Sequence, residues 1–183
     1  ERRASWCLEY PFDTRFYRRW GWETIANGSF LEVPASRLPQ GATNGRRLYP
    51  TDDSAMARAA EIYASWASNY NFAFARDHSI QQSWQHLFGM APWHGKHKRF
   101  AWLLDDAYCV TVIKTQGHVQ TLVVVDYAHS TPQGFQELLK LWGGLDGQVE
   151  NVKLQLPVDA PLLVEWSNYV VPHPHPLHAR IID

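Results

Sequence analysis

An α/β or α+β fold, with strands and helices packed in layers, is predicted by three features of the sequence. Two segments carry apolar residues at helical spacing, three strand-like segments follow one another across two-residue turns, and apolar residues make up 45% of the chain against 19% charged. The length of 183 residues suits one good-sized domain, or a domain plus part of another, with enough chain to bury a core.

Residues 4–10 (ASWCLEY) form a short apolar strand stopped by Pro11. Asp13 or Thr14 then caps a short helix that runs to about Trp20 and ends at Gly21. Residues 22–33 are strand-like, and Asn27-Gly28 within them is either a bulge or a hairpin turn. The segment 35–50 is rich in Pro, Gly and small polar residues without periodicity, which predicts a linker and a domain boundary. A second domain is expected over 51–178. Asp52 or Asp53 caps its first helix, to Asn69, with Met56, Ala59, Ala60, Tyr63, Trp66 and Ala67 on one face. A further helix is expected over 80–88, capped by Ser79 and closed by Gly89. Strands at 99–104, 107–114 and 118–127, joined by Asp105-Asp106 and Gln116-Gly117, make an antiparallel meander. A helix over 131–142, with Phe135, Leu138, Leu139 and Trp142 at its spacing, ends at Gly143-Gly144; a strand at 149–156 and a short helix near 162–166 follow.

The formal net charge is −1 and the Lys and Arg residues are scattered, so a track for nucleic acid is not expected. No apolar run approaches the roughly 20 residues of a membrane helix, and no signal pattern opens the chain; a cytoplasmic protein without membrane contact is expected. Cys7 and Cys109 each sit in an apolar stretch, away from any second metal-spaced ligand, and are read as buried free thiols of a reducing compartment. The chain opens without Met and closes on an apolar run, Ala-Arg-Ile-Ile-Asp, which suggests an interior piece of a longer protein.

Residues 8–23, LEYPFDTRFYRRWGWE, resemble the last motif of GNAT acetyltransferases, where a strand leads into a helix bearing a Phe-Tyr pair and ends in Gly-aromatic-Glu. Pro11-Phe12 followed by Phe16-Tyr17 and Gly21-Trp22-Glu23 narrows the resemblance to the enhanced intracellular survival (Eis) family, which joins two GNAT-like domains to a sterol-carrier-like domain. Residues 60–63 (AEIY), 76–84, the 135–142 helix and the closing ARIID fit in the same order. The resemblance implies a GNAT-like mixed sheet flanked by helices over 51–178. It also makes 1–34 the last strand-helix-strand unit of a first GNAT domain, and 179–183 the start of a third domain. It implies acetyl-CoA as cofactor and transfer to an amine, whether an aminoglycoside, a polyamine or a lysine side chain. It assigns Tyr17 as the acid that protonates the departing thiolate, and Thr14 and Arg18 to the cofactor. A phenol of pKa about 10 can protonate a thiolate whose thiol lies near 8.5 where water is excluded. The family's Gln/Arg-x-x-Gly-x-Gly/Ala phosphate loop is missing from the sequence, since the glycines at 143, 144 and 147 follow a helix instead of opening one; the C-terminal carboxylate that the family uses as a base is missing too. A fragment of this kind is expected to be inactive alone, and the open edge of its first strand to favour a homo-oligomer.

Plainer uses account for other candidates. Asp52-Asp53 and Asp105-Asp106 suit a helix cap and a turn better than a metal or a glycosidase site. Arg18 and Arg19 point in different directions, and Trp20 and Trp22 suit packing on a sheet. His173, His175 and His178 in HPHPLH offer metal-ligand types, but alternating Pro reads as an extended linker, so no metal is expected. Ser29, Asp77 and His78 lack the Gly-x-Ser-x-Gly elbow of a serine hydrolase. Two rival functions remain: a non-catalytic scaffold that kept the fold, and a binding module with an aromatic pocket around Trp84, Trp93 and Trp102.

Overall fold

The computed structural model describes residues 6–9, 11–26, 29–70, 76, 98–157, 167–172 and 177–181. The helix expected over 80–88, the Asn27-Gly28 turn, the 162–166 helix, and Trp84, Trp93, His173 and His175 lie outside them. The chain falls into two compact units, one of residues 1–32 with 155–183 and the other of 33–154.

The larger unit is built on an antiparallel meander: β5 (Arg99–Leu103), β6 (Ala107–Gln116) and β7 (Val119–His129) pair in sequence order. The three strands and their turns at Asp105-Asp106 and Gln116-Gly117 form the antiparallel meander that the sequence predicts. A bulge inserts Val125 between the partners of Thr111 and Val110, which leaves Asp126 opposite Val110. After β7 the chain enters α3 (Pro132–Gly143) and returns as β8 (Asn151–Leu156), parallel to β7 over Thr121–Val123. β7 runs on for six more residues beyond that short ladder. A parallel return needs a crossover, and the helix supplies it. The sheet is therefore mixed and carries helices, as expected from the sequence.

The helix α2 (Asp53–Ala67) is N-capped by Asp52, whose carboxylate accepts from the Ala55 N–H at 3.0 Å. That bond, with the Ser54 hydroxyl and Arg46, holds the Asp52 carboxyl below its ordinary value. Ala55, Ala59, Ile62 and Tyr63 form its buried stripe, packed with Ala101, Leu103, Tyr108, Val110 and Ala128 in one core cluster. α3 buries Leu138, Leu139 and Trp142, each worth about 2 kcal/mol of transfer free energy.

Residues 35–50 are not a linker. Leu38 and Leu48 are buried, Arg46–Arg47 form strand β4 against β5, and a 3-10 turn over Ala35–Arg37 is tied by the Ala35 N–H to the Glu150 carbonyl at 2.9 Å. A Cβ on Gly143 would sit 2.4 Å from the Pro39 carbonyl oxygen, so the end of α3 meets this segment backbone to backbone. Low periodicity here marks irregular buried chain, which buries Leu38 and Leu48 without a repeating pattern.

In the smaller unit, β1 (Trp6–Glu9), β10 (Leu177–Ile181) and β2 (Glu23–Ala26) form an antiparallel sheet in that order, with α1 (Thr14–Arg18) between β1 and β2 in the chain. β3 (Ser29–Pro34) follows β2 directly but pairs with β9 (Val170–Pro172). β2 and β3 belong to different sheets, so they do not pair with each other as a hairpin. Residues 179–181, expected to open a further domain, complete the β1–β10–β2 sheet, and the unit containing them reaches back to residue 155.

Candidate functional site

α1 carries the Tyr17 motif. Asp13 caps it, accepting from the Phe16 N–H at 3.0 Å, as one of the two sequence options expects. No residue of the five-residue helix is buried. Tyr17 is half-buried and held among rings: Phe12 at 5.5 Å, Phe16 at 5.5 Å and Trp22 at 5.9 Å, all edge-on. Phe12 is 76% exposed and Trp20 is 60% exposed, so Trp20 does not pack on the sheet as expected. Thr14 opens the helix, half-buried. Arg18 turns away to Glu23 with an N–O distance of 3.0 Å, and both side chains are exposed. Thus the structure places Tyr17 and Thr14 on one short helix and gives Arg18 a carboxylate partner.

His178 departs from the linker reading. It lies in β10 and is fully buried, with Nε2 2.9 Å from the Thr24 hydroxyl and Nδ1 without a partner among the described residues. Cys109 is buried and burial pushes its thiol up to about 12, whereas Cys7 is only half-buried. Among the described residues, no group of three or more His, Cys, Asp or Glu could hold a metal ion.

A polar cluster that sequence reasoning did not single out lies in the larger unit. Arg76 grips Asp126 with two hydrogen bonds, 2.8 Å to Oδ2 and 2.9 Å to Oδ1. The Tyr108 hydroxyl donates to Asp126 Oδ2 at 2.7 Å and accepts from Arg76 at 2.8 Å, and the guanidinium lies 3.7 Å from the Tyr63 ring centre. Arg76 and Asp126 keep only 15% and 13% of their side-chain area exposed. Burial alone would lower the Arg76 pKa, but its bonds to Asp126 raise it further, so the cation is firmly held. Burial also raises the Tyr108 phenol well above 10, and it stays a donor. The bulge at Val125 brings Asp126 onto the face of Val110 and Tyr108. No motif signals this, because Arg76 and Asp126 are 50 residues apart.

The aromatic convergence also differs from the expected one. The Tyr127 ring centre lies 6.4 Å from that of Trp66, 5.9 Å from Phe135 and 6.0 Å from Trp142, while the Trp66 and Tyr70 rings meet at 4.7 Å, tilted. Of the residues expected to line a pocket, Trp102 is described, on β5 beneath Arg47.

The start of α3 is closed from within. Thr131 caps it, accepting from the Gly134 N–H at 3.0 Å and donating to Asp106 Oδ2 at 3.2 Å. The Asp106 carbonyl accepts from the Ser130 N–H at 2.8 Å, and Arg58 reaches the Asp106 carboxylate at 3.3 Å. A Cβ on Gly134 would meet the Asp106 carbonyl oxygen at 2.6 Å. The turn Asp105-Asp106 thus presses on the helix end and places a carboxylate where a helix N-terminus would otherwise favour a phosphate. These residues do not fit a coenzyme pyrophosphate at α3.

No protein-family model matches the sequence, and no curated protein does. The fold does match solved structures. A GCN5-related N-acetyltransferase from Anabaena variabilis aligns over 98% of this chain with a TM-score of 0.76 and 14% identity. A probable N-acyltransferase from Enterococcus faecalis aligns over 97% at 0.74 and 14%. Eis1 from Mycobacterium abscessus aligns over 97% at 0.68 and 16%. The chain therefore has the fold of GCN5-related N-acetyltransferases. It spans less than half the length of these three proteins: 46%, 45% and 47%.

Proposed function

We propose that this chain is part of an acetyl-CoA-dependent N-acetyltransferase of the Eis kind, acting on an aminoglycoside, a polyamine or a lysine side chain. The observation that carries this is the likeness over nearly the whole chain to about half of larger N-acetyltransferases. The Tyr17 motif supports it from the sequence. In this reading the smaller unit belongs in part to a first acetyltransferase domain and supplies the Tyr17 hydroxyl as proton donor, with Thr14 beside it on α1. Arg18 is the weaker cofactor candidate because Glu23 occupies it. Acetyl-CoA would supply the activated acyl group, although the start of α3 does not fit its pyrophosphate. A reducing, cytoplasmic setting and a homo-oligomer belong to the same proposal.

The test is acetyl transfer by the longer protein that contains this chain, followed as release of free coenzyme thiol with each amine class. Release that depends on both acetyl-CoA and an amine supports the reading; no release with any of the three amine classes overturns it.

A second reading concerns the larger unit alone, as a non-catalytic scaffold that kept the fold. The closure of α3 by Asp106 and Thr131 favours it. Calorimetry of this chain with acetyl-CoA is expected to show no binding in the micromolar range, and such binding would remove it.

A further inference from the structure

We propose that the outer edge of the larger unit, β4 with the start of β5, is a docking edge for an acidic peptide in extended conformation. Among the described residues β4 is the end strand of its sheet. Its pairing is brief: Arg46 and Arg47 lie opposite Leu103 and Trp102, and the Leu48 N–H reaches the Ala101 carbonyl at 3.0 Å. Among the described residues no strand pairs with its other side, and an end strand offers N–H and C=O groups to an added strand.

The side chains set the chemistry of that strand. Ala101 and Leu103 turn into the core, so Phe100 and Trp102 show on the opposite face, half-buried. The Arg47 guanidinium lies across both rings, 4.8 Å from the Phe100 centre and 4.9 Å from that of Trp102, and Lys98 Nζ lies 5.6 Å from the Phe100 centre. Stacking on two rings fixes the plane of the guanidinium while leaving its N–H edge able to receive a carboxylate. Among the described residues Arg47 and Lys98 have no ion-pair partner. Arg46 has Asp52 at 3.5 Å, an exposed and weak pair.

Arg46 and Arg47, adjacent on a strand, face opposite sides of the sheet. An added strand would meet them with acidic residues at neighbouring positions, and with an apolar side chain against Phe100 and Trp102. The same charges disfavour a second copy of this chain, since an edge-to-edge pair would set Arg against Arg. Three cations on a strand edge are also few for a nucleic-acid track.

The test is fluorescence anisotropy of the full chain with a labelled extended peptide of glutamate, valine and tyrosine, at low and physiological salt. Micromolar binding is expected, weakened about tenfold or more by Arg47→Glu and by lysine in place of the peptide's glutamates, with an unchanged thermal midpoint for the variant. N-methylation of alternate peptide amides should also abolish it, which simple charge attraction would not require. The proposal is overturned by absence of binding, by binding indifferent to Arg47→Glu or to N-methylation, or by equal binding of a single-stranded oligonucleotide of matched charge. If Arg47→Glu lowers the midpoint, Arg47→Gln and Lys98→Gln serve as the readout, with the same tenfold criterion.

Discussion

The Tyr17 segment and the Arg76–Asp126 cluster are opposites in how sequence and structure treat them. Around Tyr17 a contiguous motif is visible, yet the helix that bears it is five residues long and has no fully buried residue. Around Asp126 no motif is visible, yet four side chains from distant positions converge with two-pronged and shared hydrogen bonds. A motif records chemistry that local geometry can present, whereas a buried polar network records what the fold had to neutralise. The first is a candidate for catalysis, and breaking the second is expected to destabilise the fold.

The sharpest way to test that contrast is Tyr17→Phe in the acetyltransferase proposed to contain this chain. If the hydroxyl protonates the leaving group, kcat should fall about 10²- to 10⁴-fold with stability unchanged. Wild-type turnover at saturating acetyl-CoA would reduce Tyr17 to packing among Phe12, Phe16 and Trp22.

Asp126→Ala should do the reverse. It strands the Arg76 cation in a largely buried site, and breaking such a pair costs about 3 kcal/mol, read from the urea midpoint of this chain. A loss below about 1 kcal/mol would mean the cluster is not what holds the larger unit together.

Gly134→Ala sets two smaller effects against each other. Alanine favours a helix by about 1 kcal/mol, but its Cβ would press on the Asp106 carbonyl oxygen at 2.6 Å, and overpacking costs about 1–3 kcal/mol. A lower thermal midpoint is expected; a higher one would show that the Asp106 turn yields and that α3 is not firmly closed.

The smallest effect concerns pH. Burial holds the His129 imidazole below its ordinary 6.5, partly offset by its Nδ1–H bond to the Thr131 carbonyl at 3.1 Å. A base with a depressed folded pKa is protonated first in the unfolded chain. Its contribution is therefore complete above about pH 6.5, is lost as pH falls below that, and levels off beneath the folded value. Because the ring is half-exposed the loss should stay under about 1 kcal/mol, and His129→Gln should flatten that part of a stability-pH curve. An identical curve for the variant would assign the acid sensitivity to other groups.

Much of the larger unit was legible in the sequence because its elements are local. α2 and α3 announce themselves by apolar spacing, α2 also by a cap at Asp52 or Asp53, and the meander by its turns at Asp105-Asp106 and Gln116-Gly117. Tyr17 was legible as a motif for the same reason. What the sequence by itself determined is thus the fold class, these helices and strands, and one candidate residue for chemistry. Tertiary structure alone decided that residues 35–50 are folded chain, that β2 and β3 part company to pair with β10 and β9, and that His178 is a buried strand residue. It also decided that Arg76 meets Asp126 and that Asp106 closes α3. Side-chain hydrogen bonds and ion pairs such as these join residues 25 to 154 positions apart, and their free energy appears only after the chain has closed those loops.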